Sequence, residues 1–97
     1  MTNLNEIISK ITQVKPVLAD KYHLTEIGIF GSYVRGEQTL QSDVDILVDF
    51  SRGMSLFKFV RLSEELKILL GTKVDLVMKS ALKPYIGKQI LKEVRIV

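Results

Sequence analysis

Apolar positions along the chain switch between a three-to-four-residue rhythm and a two-residue one. Leu4, Ile7, Ile8, Ile11, Val14 and Leu18 recur at helical spacing, which predicts an amphipathic helix over residues 5–22. Pro16 falls inside that pattern and is expected to kink or split it. Residues 24–30 are short, rich in isoleucine and followed at once by glycine, so a first strand is expected there. His23, just ahead of it, reads as a surface or hinge residue. SYVRGE then fits one turn of helix ending at Gly36, and residues 37–42 are polar and loop-like. From Asp43 to Phe50 the alternation is clean: Val44, Ile46, Val48 and Phe50 face one way, and Asp43, Asp45, Leu47 and Asp49 the other. Arg52 and Gly53 end this second strand.

Ser55 suits a helix N-cap and Gly71 a C-cap, with Leu56, Phe59, Val60, Ser63, Leu66, Leu69 and Leu70 as the inner face between them. Residues 73–78 predict a third strand with a single acid, Asp75. Pro84 fits the first turn of a last helix whose inner side is Tyr85, Ile86, Ile90 and Leu91. Residues 94–97 are either a final short strand or a frayed end. The order helix, strand, helix, strand, helix, strand, helix implies one sheet with helices packed on it, hence a single mixed α/β (α+β) domain over residues 1–97. No repeat, linker or low-complexity segment interrupts it.

Composition narrows the possible chemistry. At 97 residues, 46% hydrophobic and 26% charged, the chain has a globular composition, and its core must be small. It has no cysteine and one histidine, which rules out thiolate metal sites and argues against a His-rich zinc centre. No apolar run approaches a membrane span, and the N-terminus lacks a signal-like apolar core, so a cytoplasmic protein is expected. The net charge is +3, and from Lys79 onward five basic residues face only Glu93. Such a tail can attract polyanions. It also fits the solvated face of a lysine-rich helix, and alone it does not support direct nucleic-acid binding.

The stretch GSYVRGEQTLQSDVD, Gly31 to Asp45, carries the most specific chemistry. Asp43 and Asp45, two apart on a strand, project from one face with Cα atoms about 7 Å apart. Two such carboxylates repel unless a cation lies between them, and Mg2+, a hard ion that keeps waters and substrate phosphates in its shell, is the natural neutraliser. Asp75 completes the set if the third strand lies beside the second. Three acids around one or two metal ions suit in-line phosphoryl or nucleotidyl transfer. Gly31 lets the backbone approach a ligand, Ser32 at a helix start offers a hydroxyl and free N–H groups to an anion, and Arg35 is placed to add positive charge. Taken singly, each part has a plainer reading: a common turn, an exposed Asp-x-Asp, a solvated Asp75 or Asp49, a surface arginine. The combination is what carries weight.

That combination, Gly31-Ser32, ten residues and Asp43-Val44-Asp45 inside GIFGSYVRGEQTLQSDVDILVDF, resembles the signature of the DNA polymerase beta-like nucleotidyltransferase superfamily, and most closely its minimal nucleotidyltransferase (MNT) branch. The likeness extends through KVDLV and the last helix. It implies a three- to four-stranded mixed sheet flanked by helices, a Ser32 turn that binds nucleotide phosphates, Asp43 and Asp45 as Mg2+ ligands, and Asp75 as a third carboxylate near the acceptor hydroxyl. It further implies ATP as donor and a hetero-oligomer with a HEPN-family ribonuclease toxin, which proteins of this branch neutralise as antitoxins by transferring AMP to a toxin tyrosine. Two other readings compete with this enzyme: a non-catalytic inhibitor that binds a HEPN partner, and a small-molecule nucleotidyltransferase of the antibiotic-modifying kind. Tyr85 and Ile86 are the expected partner-facing residues.

Overall fold

The computed structural model describes residues 3–97; Met1 and Thr2, the start of the segment judged for a signal-like core, lie outside the described residues. Helix α1 (Leu4–Tyr22) is capped by the Asn3 side chain, which accepts the Glu6 N–H at 2.9 Å. It runs through Pro16 as one element and is not split. Pro16 and Thr12 both lie on the exposed side, where water can serve the Thr12 carbonyl that proline leaves without its donor. His23 closes α1 in the left-handed conformation (φ 57°), and its carbonyl accepts the Ser51 N–H, which ties the end of the helix to the sheet.

Strand β1 (Leu24–Phe30) follows, then a single turn of helix, α2 (Ser32–Arg35), and strand β2 (Val44–Phe50). Helix α3 (Leu56–Leu70) starts at Ser55, whose hydroxyl accepts the Lys58 N–H at 3.2 Å, and ends at Gly71 with φ 66°. Strand β3 (Val74–Met78), a short 3-10 turn, helix α4 (Pro84–Glu93) and a two-residue strand β4 (Arg95–Ile96) complete the chain. The four strands form one mixed sheet in the order β3-β2-β1-β4, with β1 antiparallel to β2 and β4, and β2 parallel to β3. The parallel pair requires a crossover, and α3 is that crossover.

One face of the sheet makes the core. Ile27, Ile29, Val44, Ile46 and Val48 pack there with Ile7, Ile11 and Leu18 of α1 and Leu62, Leu66 and Leu70 of α3. The inner face of α3 is therefore centred on Leu62, while Leu56 and Val60, expected inside, are exposed. Apolar residues surround this helix on nearly every side, so spacing alone could not choose the buried stripe.

Gly28, Phe30, Asp45, Leu47 and Asp75 alternate onto the opposite face. That face is partly covered too: Phe30 and Leu47 are buried outside the main core, and the space above Gly28 is filled by Val94 and Ile96. The predicted inner side of α4 is corrected here. Tyr85, Ile86 and Leu91 are exposed, and the buried position is Gly87, which carries no side chain to mark it. Among the described residues no helix is long and apolar enough to cross a membrane.

Candidate active site

Where β1 ends, the chain turns through Gly31, whose backbone (φ 82°, ψ −152°) lies in a region that side-chain-bearing residues rarely adopt. A Cβ at Gly31 would fall 2.0 Å from Oδ2 of Asp45. Glycine is thus required twice, by torsion and by the carboxylate pressed against it. Ser32 opens α2, the N–H groups of Val34 and Arg35 both donate to the Gly31 carbonyl, and Gly36 (φ 72°) ends the turn.

The return to β2 is tied by polar contacts. Ser42 Oγ accepts the Thr39 N–H at 2.9 Å, Thr39 Oγ1 accepts the Gln41 N–H at 3.2 Å, and the Ser42 N–H donates to the Thr39 carbonyl. This brings Asp43 to the mouth of β2. The Val44 N–H then donates to the Lys73 carbonyl, which fixes β3 alongside. In the resulting register Asp45 lies opposite Phe30 on one side and opposite Asp75 on the other. Neighbouring strands run about 4.8 Å apart, so Asp45 and Asp75 are like charges side by side on one face.

Asp43 and Asp75 are exposed and Asp45 is half-buried. Burial pushes the Asp45 carboxyl up to about 6, and the charges of Asp75 and then Asp43 push the same way, against a smaller opposing pull from Arg35. A carboxylate held that high by burial and by like charges beside it is one that a cation would relieve. Among the described residues no three acid or imidazole side chains converge closely enough to form a ready-made metal cage. The acids stand instead as an open rank of oxygen donors, which fits a hard ion that fills the rest of its shell with water and substrate oxygens.

Arg35 is committed to carboxylates. Its Nε donates to Glu37 at 2.6 Å and its Nη1 to both oxygens of Glu93 at 2.9 and 3.1 Å. The hydrogen bond to Glu37, and next the bond and charge of Glu93, hold the guanidinium yet more firmly protonated than usual. Glu93 also accepts the Gly31 N–H at 2.6 Å. Pattern reading did not find this residue as part of the site; the one available signal was its standing as the lone acid in a basic tail. A cleft of about 270 Å³ runs between Gly31, Arg35 and Asp45 on one wall and Ile86, Ile90 and Glu93 of α4 on the other.

Residues 11–97 match the family model described as a nucleotidyltransferase domain. The chain belongs to the nucleotidyltransferase family, in its minimal branch. It is 55% identical over 94 residues to the protein adenylyltransferase MntA of Thermococcus cleftensis, covering 97% of this chain and 95% of that protein. A solved structure described as a minimal nucleotidyltransferase superposes with a TM-score of 0.83 at 33% identity, covering 97% of this chain and 95% of the other. A toxin-antitoxin structure with AMP-PNP matches with a TM-score of 0.74 at 27% identity, covering 91% of this chain and 69% of that one. This minimal nucleotidyltransferase is accordingly an enzyme by family, on a four-stranded mixed sheet as the resemblance implied.

Proposed function

We propose that this nucleotidyltransferase transfers AMP from ATP to a hydroxyl of a partner protein, and that the acceptor is a tyrosine of a HEPN-family toxin for which the chain is the antitoxin. The observation that carries this reading is the contact of the Gly31–Ser32 turn with Asp45 while Asp75 stands in register beside it. An anion held by the turn and an acceptor at Asp75 would then meet at one spot. The 55% identity to a protein adenylyltransferase supports a protein acceptor.

In this proposal the Gly31–Ser32 turn binds the triphosphate, Gly31 by letting the phosphates come close and Ser32 through its backbone N–H and hydroxyl, with Arg35 contributing positive charge nearby. Asp43 and Asp45, with Asp75 completing the set, would hold one or two Mg2+ ions, whose charge when bound offsets that of the carboxylates and phosphates. Asp75 orients the acceptor hydroxyl and receives its proton. The acceptor oxygen forms a bond to the α-phosphorus as the bond to pyrophosphate breaks, so AMP-protein and pyrophosphate are the products. Ile86, exposed on the cleft wall, and Tyr85 beside it are suited to meet the partner as its tyrosine approaches. A reaction that draws on ATP suits the cytoplasm.

The test is intact mass of the co-expressed HEPN partner after incubation with ATP, Mg2+ and this chain. The expected result is one or more AMP increments on the partner, absent with the Asp43→Asn, Asp45→Asn double variant. If no mass is added while the partner is still bound and silenced, the protein is a binding inhibitor built on this fold. If a small aminoglycoside-type acceptor is modified instead, the protein-acceptor reading fails.

A further inference from the structure

We propose that Glu93 is a positioning residue for nucleotide binding: it straps the end of α4 to the phosphate turn and thereby sets how Gly31, Arg35 and Asp45 stand relative to one another. The binding readouts rest on the nucleotidyl-transfer reading above. The geometry is specific. One carboxylate, with its side chain only 26% exposed, accepts from the Gly31 N–H through Oε2 and from the Arg35 guanidinium through both oxygens, across 62 and 58 residues of sequence.

An exposed ion pair alone would mean little. Here the same carboxylate also holds a backbone group at the residue pressed directly on Asp45, so a shift of the turn is a shift of that aspartate. The electrostatics oppose its presence, because Glu93 adds negative charge beside Asp45. Placing a further acid beside Asp45 is unfavourable, and what offsets it are the charge-assisted bonds to Gly31 and Arg35. Those bonds end on two residues assigned to phosphate binding and tie both to α4, the helix that forms the other wall of the cleft.

The competing account is that Glu93 merely occupies an anion site that ATP must empty, and the two accounts predict opposite signs. Three variants, Glu93→Ala, Glu93→Gln and Arg35→Gln, with the Arg35→Gln, Glu93→Ala double variant, are to be compared by amide hydrogen exchange and by calorimetric binding of Mg·AMP-PNP. Thermal melts will check that each is folded. Positioning predicts faster exchange at Gly31 in Glu93→Ala, and partial recovery in Glu93→Gln, whose amide oxygen still accepts the N–H. It predicts Mg·AMP-PNP binding weakened about tenfold in Glu93→Ala, the scale of one charge-assisted hydrogen bond. The double variant is expected to be no weaker than the weaker single one, since Glu93 acts on Arg35. Unchanged or tighter binding in Glu93→Ala, or fully additive losses, overturns the inference. If the wild-type chain binds no Mg·AMP-PNP, the nucleotidyl-transfer reading itself fails; the proposed role in nucleotide binding falls with it, and Gly31 exchange then tells whether the strap still fixes the turn.

Discussion

Replacing Gly31 with alanine tests the tightest joint of the site. The backbone at Gly31 (φ 82°, ψ −152°) is nearly glycine-only, which costs another residue about 1–3 kcal/mol. The added methyl would meet Asp45 Oδ2 at 2.0 Å and Cγ at 2.9 Å, so the carboxylate must swing away, an overpacking cost of about 1–3 kcal/mol. Together these come to about 2–6 kcal/mol, enough to lower Tm by at least roughly 8 °C in a domain of this size. Gly36→Ala is the matched control, because Gly36 has φ 72° with no atom within 4 Å of the added carbon. It should lose only about 1–2 kcal/mol from torsion. The assay is calorimetric melting of both variants, with Mg·AMP-PNP binding measured well below Tm. Equal Tm losses for the two variants, with nucleotide affinity retained in Gly31→Ala, would refute the claim that this turn and Asp45 are in mutual contact.

Further outcomes follow from the same geometry. Asp45 has its folded carboxyl raised to about 6 from 3.8, so between those values the folded protein holds more protons than the unfolded chain, and stability falls as pH rises through that window. Asp45→Asn should therefore melt above the wild type at pH 7 to 8 and lose that advantage by about pH 4; a constant offset across the range would contradict it. At Gly28 an added Cβ would lie 2.7 Å from Val94 Cγ2 and 3.1 Å from the Arg95 carbonyl oxygen, so Gly28→Ala should cost about 1–3 kcal/mol and loosen β4, read as a lower denaturant midpoint and faster amide exchange at Val97, whose N–H donates to Ile27.

Strand β2 was legible from its clean two-residue rhythm, and β1 from a short isoleucine-rich run stopped at once by glycine. The caps at Ser55 and Gly71 were legible for a related reason, since their chemistry is local. The Gly31–Ser32 and Asp43–Asp45 elements follow directly from spacing, and β2 pairing with β3 brings Asp75 into register as the conditional reading required. What the pattern misplaced were helix faces. On α3 it passed over Leu62, because a helix apolar nearly all round has no single preferred stripe, and on α4 it put Tyr85, Ile86 and Leu91 inside where the buried contact is made at Gly87. Strand β4 has two residues, too few to show alternation. Glu93 was hidden differently: its partners are Gly31 and Arg35, so nothing in its own neighbourhood predicts the contact.

The parallel pairing of β2 with β3 also bears on the order in which the fold assembles. Asp43 and Asp45 arrive with the β1–β2 hairpin, a local unit, whereas Asp75 joins them only when the whole length of α3 has folded back to bring β3 alongside. Closing that longer loop costs more chain entropy, so it is expected to be the later event. The repulsion between Asp45 and Asp75 is then largely absent from the transition state, and it acts on the rate at which the native state opens. Relief of the repulsion, by a bound cation or by Asp75→Asn, should therefore lengthen the lifetime of the folded protein while leaving its folding rate nearly untouched. An unloaded site therefore weighs on the β3 edge of the sheet, where the two carboxylates stand in register.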